Sequence, residues 1–151
     1  MLSKIGLQPG QFRSSVAAAV GAGWTLFQIY TGFFGELSAI PQRAVHLGFA
    51  LTLLFLVRPS GKGWANKSYR WLGPVIDAAL IAGCIVTTAY LAYDHVGIAE
   101  RLGRTLPHEF WFGLVIIAVL LEGTRRAVGW PLPLIAVGFL LYGFYGNLIP
   151  G

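Results

Sequence analysis

The sequence predicts an all-α, polytopic integral membrane protein with four to five transmembrane helices and a cytoplasmic N-terminus. The first observation is composition: of 151 residues, 56% are hydrophobic and only 11% are charged, whereas a soluble domain carries about 25% charged residues. The second is that the apolar residues form long runs without polar alternation, which favours helices over the strands of a membrane barrel. The third is that most Lys and Arg residues stand in short segments between these runs.

The first two expected helices are 16–34 and 39–57. Residues 16–34 carry no charge and approach the length of about 20 residues that a spanning helix needs. The second helix is extended back to residue 39 because Pro41 suits the first turn of a helix. This extension brings Arg43 and His46 onto one polar face at its outer end, where we expect them to reach the lipid headgroups.

The third expected helix, 75–93, contains a single charged residue, Asp77. The favoured interpretation places Asp77 in the first turn, where the helix dipole stabilises an acid. The alternative pairs it with a basic residue of a neighbouring helix. Small residues four apart, such as Ala79 and Gly83, indicate that this helix packs closely against another.

The last two expected helices are 108–127 and 132–149. Glu109 falls in the first turn of the fourth helix, as suits a helix N-terminus. Pro131 is expected to force a break before the fifth helix. Whether the fifth run crosses the membrane or lies on its surface stays open at this point, which is why four to five spans are expected.

Near the end of the fourth helix, Glu122 precedes Arg125 and Arg126 by three and four residues. Residues at this spacing share one helix face, so local pairing is expected to neutralise one arginine and leave the other free. Two interpretations stay open. The group is either a self-neutralised cluster at the cytoplasmic interface or a docking point for a partner subunit.

The distribution of Lys and Arg predicts the orientation. If the N-terminus is cytoplasmic and all five runs cross, eight of the eleven basic residues lie on the cytoplasmic side. They are Lys4, Arg13, Arg58, Lys62, Lys67, Arg70, Arg125 and Arg126. The other three, Arg43, Arg101 and Arg104, lie outside. This asymmetry favours the cytoplasmic N-terminus.

The sequence contains none of the common hydrolase, metalloprotease or phosphate-binding motifs, so no enzyme, metal or cofactor is expected. Its basic residues do not cluster on a soluble face, which argues against nucleic acid.

The histidines His46, His95 and His108 leave open a haem- or quinone-binding membrane anchor, which for haem requires facing ligands. A self-sufficient small transporter or membrane enzyme is a further alternative. The apolar midplane of the runs argues against a translocating core.

Several stretches of the chain resemble one membrane family. They are Gln42-Arg-Ala-Val-His-Leu-Gly-Phe-Ala-Leu, Phe55-Leu with Pro59, Pro74 with Asp77, Leu121-Glu-Gly-Thr-Arg-Arg-Ala-Val-Gly-Trp with Leu132-Pro, and Phe139-Leu-Leu-Tyr to Pro150-Gly151. From about Trp24 to the C-terminus, the chain resembles the small membrane subunit of tripartite ATP-independent periplasmic (TRAP) transporters of the TAXI type. This subunit is the N-terminal part where the permease is fused. The Glu-x-Thr-Arg-Arg-x-x-Gly-Trp stretch is the most specific element.

The resemblance implies a multi-pass scaffold subunit of a bacterial inner membrane. It would pack on a large permease subunit of about twelve helices that moves an organic solute as a secondary transporter. A periplasmic TAXI-type binding protein would deliver the solute, and an ion gradient would drive uptake. No catalytic residue is implied. The residues expected to contact a partner, or to lie as polar groups in the membrane, are Arg43, His46, Asp77, Glu122, Arg125 and Arg126.

Overall fold

The computed structural model describes residues 9–35, 37–60, 71–101 and 103–145, and all regular structure in these ranges is helical. Six helices follow one another: α1 Pro9–Phe34, α2 Ala39–Val57, α3 Leu72–Tyr93, α4 His95–Glu100, α5 Pro107–Val128 and α6 Pro131–Tyr145. Lys4, Lys62, Lys67 and Arg70, used above for the orientation, lie outside the described residues, as does the expected helix end at residue 149.

Two helices begin at least three residues earlier than the sequence predicts, and one helix was not expected. The predicted start of α1 at residue 16 is wrong, because it followed the apolar run whereas the helix continues back through polar residues to Pro9. The predicted start of α3 at residue 75 is also wrong; the helix begins at Leu72 and includes Pro74 in its first turn, where proline is tolerated. The six-residue α4 is too short to show as an apolar run.

The break between α5 and α6 occurs where Pro131 predicts it. α5 ends at Val128, and Gly129 has a φ of 98°, a conformation that glycine adopts without steric cost. With 15 residues, α6 is about 22 Å long. That length is shorter than a hydrocarbon core of about 30 Å.

The helices pack in sequence around a small apolar core. α2 lies against α1 and α3, α5 lies against α3 and α2, and α6 rests on α5. The core joins α2, α3 and α5 through Leu51, Phe55, Cys84 and Val119. The end of α2 and the start of α3 lie at the same end of the bundle as the end of α5, so α3 is antiparallel to both α2 and α5.

The outside of the bundle is apolar. Large side chains such as Phe33 (84% exposed) and Phe144 (78% exposed) point outwards. Two helices, α2 and α3, with 19 and 22 residues, are long and apolar enough to cross a membrane. Soluble monomers rarely expose apolar patches of this extent, so this exterior is stable where lipid or an apolar partner covers it.

Gly123 permits the close approach of α5 to α2. A Cβ at this position would lie 2.8 Å from Leu51 Cδ2 and 3.3 Å from Leu54 Cδ2. We expect Gly123→Val to lower the free energy of unfolding by about 1–3 kcal/mol, because overpacking forces neighbouring side chains to move. Titration with sodium dodecyl sulfate in mixed micelles, followed by circular dichroism, measures this loss. The control is Gly113→Val in the same helix, where a Cβ meets no atom within 4 Å; equal losses would contradict the close approach.

Candidate functional site

Asp77 is the centre of a charged network at one end of the bundle, here called the Asp77 network. Its side chain is only 2% exposed. Arg13 Nη2 from α1 lies 2.7 Å from Oδ2, and Arg126 Nη1 from α5 lies 2.8 Å from Oδ1. The Ser60 N–H donates to both carboxylate oxygens, at 3.0 and 3.2 Å. Two guanidinium groups and a backbone donor therefore compensate the buried charge, as such burial requires.

The position of Asp77 decides between the two interpretations drawn from the sequence. No acidic residue occupies the first turn of α3, so the interpretation that the helix dipole stabilises Asp77 there is wrong. The interpretation fails because the helix starts earlier than expected, at Leu72, which moves Asp77 into the second turn. The pairing with basic residues of neighbouring helices is confirmed.

Arg126 ties the end of α5 to the end of α2. It donates from Nη2 to Ser60 Oγ (2.6 Å) and from Nη1 to the Arg58 carbonyl (3.1 Å). In return, Arg58 Nη1 donates to the carbonyls of Arg126 (2.6 Å) and Ala127 (2.9 Å), which are among the free carbonyls at a helix C-terminus. The Arg126 guanidinium also lies 4.8 Å from the Phe55 ring centroid, within range of a cation–π interaction.

Glu122 holds both arginines that follow it. Its carboxylate accepts from Arg125 Nε and Nη2 and from Arg126 Nε, each at 2.7 Å. The expectation that one arginine would have no partner is wrong, because Glu122 binds both and Arg126 also reaches Asp77 on another helix. Arg125 is the more exposed of the two, with 37% of its side chain accessible. Its guanidinium lies 5.4 Å from the Trp130 ring centroid.

Arg101 is the centre of a second network at the other end of α3 and α5, here called the Arg101 network. Arg101 Nη2 donates to Asp94 Oδ2 at 2.6 Å and also to the Glu109 carboxylate. The Tyr90 hydroxyl donates to Asp94 Oδ2 at 3.1 Å. Glu109 Oε2 also accepts from the Leu106 N–H at 2.7 Å, which confirms its predicted place at the start of the helix. The Arg101 guanidinium holds the pKa of Asp94 below its ordinary value.

We expect Arg101→Gln to loosen α4. In the variant, Asp94 and Glu109 lose their shared cation, and amide hydrogen exchange in α4 should accelerate about threefold, as suits a partly exposed ion pair. Because the pKa of Asp94 is lowered in the folded state, its contribution is complete above the ordinary pKa and is lost as the pH falls through the lower folded value. Exchange rates measured by mass spectrometry should therefore differ between the variant and the unaltered chain at neutral pH. They should agree below the folded-state pKa of Asp94.

The matched control for this prediction is Arg104→Gln, which removes the same charge from an exposed residue close in sequence. Unchanged exchange in α4 of Arg101→Gln would contradict the role of Arg101 as a link between Asp94 and Glu109.

Arg43 and His46 do not act together in the structure. Arg43 is exposed. His46 instead contacts α1: its Nδ1 lies 2.7 Å from Gln28 Nε2, and its ring meets the edge of Trp24 at a centroid distance of 4.8 Å. The two residues expected on one polar face therefore have different surroundings, and only His46 contributes to helix packing.

The other two histidines also have protein partners. His95 Nδ1 lies 3.0 Å from the Ala92 carbonyl, and His108 Nε2 lies 3.0 Å from the Tyr90 hydroxyl. Within the described ranges, no three residues among His, Cys, Asp and Glu come together as a metal site.

Sequence reasoning missed Arg13, Arg58 and Ser60 as members of the Asp77 network. One signal pointed towards them: Asp77 is the lone charge in an apolar run, and such a charge requires a counter-ion. The described acidic side chains in both networks are bound to arginine, so these networks compensate the carboxylate charges and join helices. Comparisons with models of protein families, with curated proteins and with solved structures find no match for the chain.

Proposed function

We propose that the chain is a multi-pass inner-membrane protein of four to five spans that serves as the small scaffold subunit of a TRAP transporter. The observation that carries the proposal is the apolar layer between the two charged networks. Among the described helices, α2 and α3 suit a membrane crossing by their length and composition. Four or five spans require additional helices. The additional spans would be α1, α5 and, for the fifth, α6.

The spacing of the networks fits a bilayer. Asp77 and Tyr90 are thirteen residues apart on α3, as are Glu109 and Glu122 on α5, so each pair is separated by about 20 Å along its helix. A hydrocarbon core is about 30 Å thick, so in the proposed arrangement both networks would lie near its two faces. Charges at that depth are costly unless paired, and this explains why the carboxylates of the two networks have arginine partners.

In the layer between the networks, the hydroxyls of α3 are already bound within their own helix. The Thr87 and Thr88 hydroxyls donate to the carbonyls of Gly83 (2.6 Å) and Cys84 (2.7 Å) in their own helix. In the described residues, no helix is interrupted at this level. Transporter cores are built from broken helices with polar groups at the midplane. The arrangement therefore favours a scaffold over a translocating element.

The Asp77 network is assigned to the cytoplasmic side. It contains Arg13, Arg58, Arg125 and Arg126, whereas Arg101 is the sole arginine with a described ion pair in the other network. An excess of arginine marks the cytoplasmic side of membrane proteins. This assignment puts the N-terminus of α1 inside and α4 outside.

The TRAP assignment rests on the resemblance of Glu122 to Trp130 and the stretches before it. In the proposed complex, the chain supports a large permease subunit, and a periplasmic TAXI-type binding protein delivers an organic solute. The apolar surfaces of α1 and α6 are free to contact lipid and the large subunit.

Affinity purification of the tagged chain from its native membrane in mild detergent tests this function. We expect a large polytopic permease to co-purify in stoichiometric amount. A chain recovered alone, at a yield that shows an intact protein, would contradict the scaffold role. A Soret absorption band in the purified material would instead support a haem-binding anchor of a redox complex.

A further inference from the structure

The junction of α5 and α6 carries positive charge that the Asp77 network does not neutralise. The described network holds four arginines but two carboxylates, Asp77 and Glu122. Arg58 is balanced by the carbonyl end of α5, which has a partial negative charge. Arg125 and Arg126 share Glu122, so that one carboxylate cannot balance both.

Arg125 has N–H donors that its pair with Glu122 does not use. Its Nε and Nη2 donate to Glu122, and its guanidinium carries five N–H groups in total. The Nη1 group makes no hydrogen bond with the described residues. With 37% of the side chain exposed, this group can bind an anion without breaking the pair with Glu122.

An apolar groove begins beside Arg125. It lies between α5 and α6, has a volume of about 300 Å³, and is lined on its apolar part by Ala118, Leu121, Trp130, Pro133, Leu134 and Val137. Arg125 and Glu122 also line it. From Arg125 to Ala118 the groove follows α5 for seven residues, or about 10 Å. It therefore extends from the charged end of the bundle towards the apolar layer.

We propose that this junction binds one acidic phospholipid, with its phosphate on Arg125 and an acyl chain in the groove between α5 and α6. A phospholipid carries a charged phosphate next to an apolar acyl chain. The groove likewise has a charged end at Arg125 followed by an apolar surface. Free phosphate would use only the charged end. The inference rests on the membrane arrangement proposed above, in which this end faces the cytoplasmic leaflet, where acidic lipids attract basic side chains.

The charge on Arg125 is tested by native mass spectrometry of the full chain purified in detergent. Phosphatidylglycerol and phosphatidylcholine are added separately at equal concentration. We expect one phosphatidylglycerol per chain, bound more tightly than phosphatidylcholine. Arg125→Gln should weaken its binding about fivefold, as expected for one basic residue near a lipid surface. Arg43→Gln, which removes an exposed charge at the other end of the bundle, should leave binding unchanged.

The apolar part of the site is tested by filling the groove. Ala118→Phe places a ring in the groove and should lower phosphatidylglycerol binding with no change in charge, whereas Ala22→Phe on the exposed surface of α1 should not. Equal binding of both lipids, equal binding by all variants, or full displacement by inorganic phosphate would each overturn the proposal. Co-purification of the permease is a separate measurement, so failure of the lipid site leaves the scaffold role standing.

Discussion

Asp77→Ala is expected to lower the free energy of unfolding by about 3 kcal/mol, the lower end of the range for breaking a buried ion pair. The loss arises because Arg126, with only 6% of its side chain exposed, then lacks its partner on α3. The Ser60 N–H loses its acceptor as well. Glu122 still holds Arg126, which limits the loss. Titration with sodium dodecyl sulfate in mixed micelles measures the effect.

A double-mutant cycle separates the ion pair from other effects of the substitution. The loss in Asp77→Ala combined with Arg126→Leu should be smaller than the sum of the two single losses, because the second substitution removes the charge that the first leaves unpaired. Glu100→Ala, which removes an exposed acid on α4, serves as the control and should stay within about 0.5 kcal/mol of the unaltered chain. Strict additivity of the two losses would contradict a direct Asp77–Arg126 interaction.

Glu122→Ala is expected to lower the yield of the complex with the proposed large permease subunit about fivefold, the factor that corresponds to a partly exposed ion pair of about 1 kcal/mol. Without this carboxylate, Arg125 loses two hydrogen bonds and Arg126 loses one. The Arg125 side chain is then no longer held over Trp130, and the surface next to the α5–α6 groove changes its charge and shape. Co-purification from membranes with equal expression measures the yield.

The thermal midpoint of the Glu122→Ala chain in detergent is measured in parallel, because a lower midpoint would show a folding defect. Glu100→Ala again provides the control, since it removes the same charge from the opposite end of the bundle. An undiminished complex yield in Glu122→Ala would contradict the role of this group in partner docking.

The sequence was sufficient to predict most helices because long apolar runs and prolines are local signals. The interval 39–57 for α2 agrees with the structure, since Pro41 and the apolar run together define it. The break before α6 also agrees, because Pro131 cannot continue the helix that ends at Val128. The spacing of Glu122, Arg125 and Arg126 predicts their local pairing for the same reason: the contacts lie within one turn.

The Asp77 network could not be predicted in detail because its contacts join distant parts of the chain. Arg13 and Asp77 are 64 residues apart, and Asp77 and Arg126 are 49 apart. Periodicity within one helix carries no information on which helix lies opposite. The extension of α1 that contains Arg13 was not predicted either, because it lies before the apolar run. Similarly, the role of Arg101 depends on the short helix α4, which has no apolar pattern of its own.

The arrangement of two charged networks across an apolar layer is the central claim, and site-directed labelling from each side of the membrane tests it most directly. In a Cys84→Ala background, single cysteines are placed by Ser68→Cys between α2 and α3 and by Thr105→Cys just before α5. Spheroplasts are treated with a membrane-impermeant maleimide before and after permeabilisation. We predict that Thr105→Cys reacts in intact spheroplasts and that Ser68→Cys reacts only after permeabilisation. Reaction of both cysteines from the same side would contradict a membrane between the two networks.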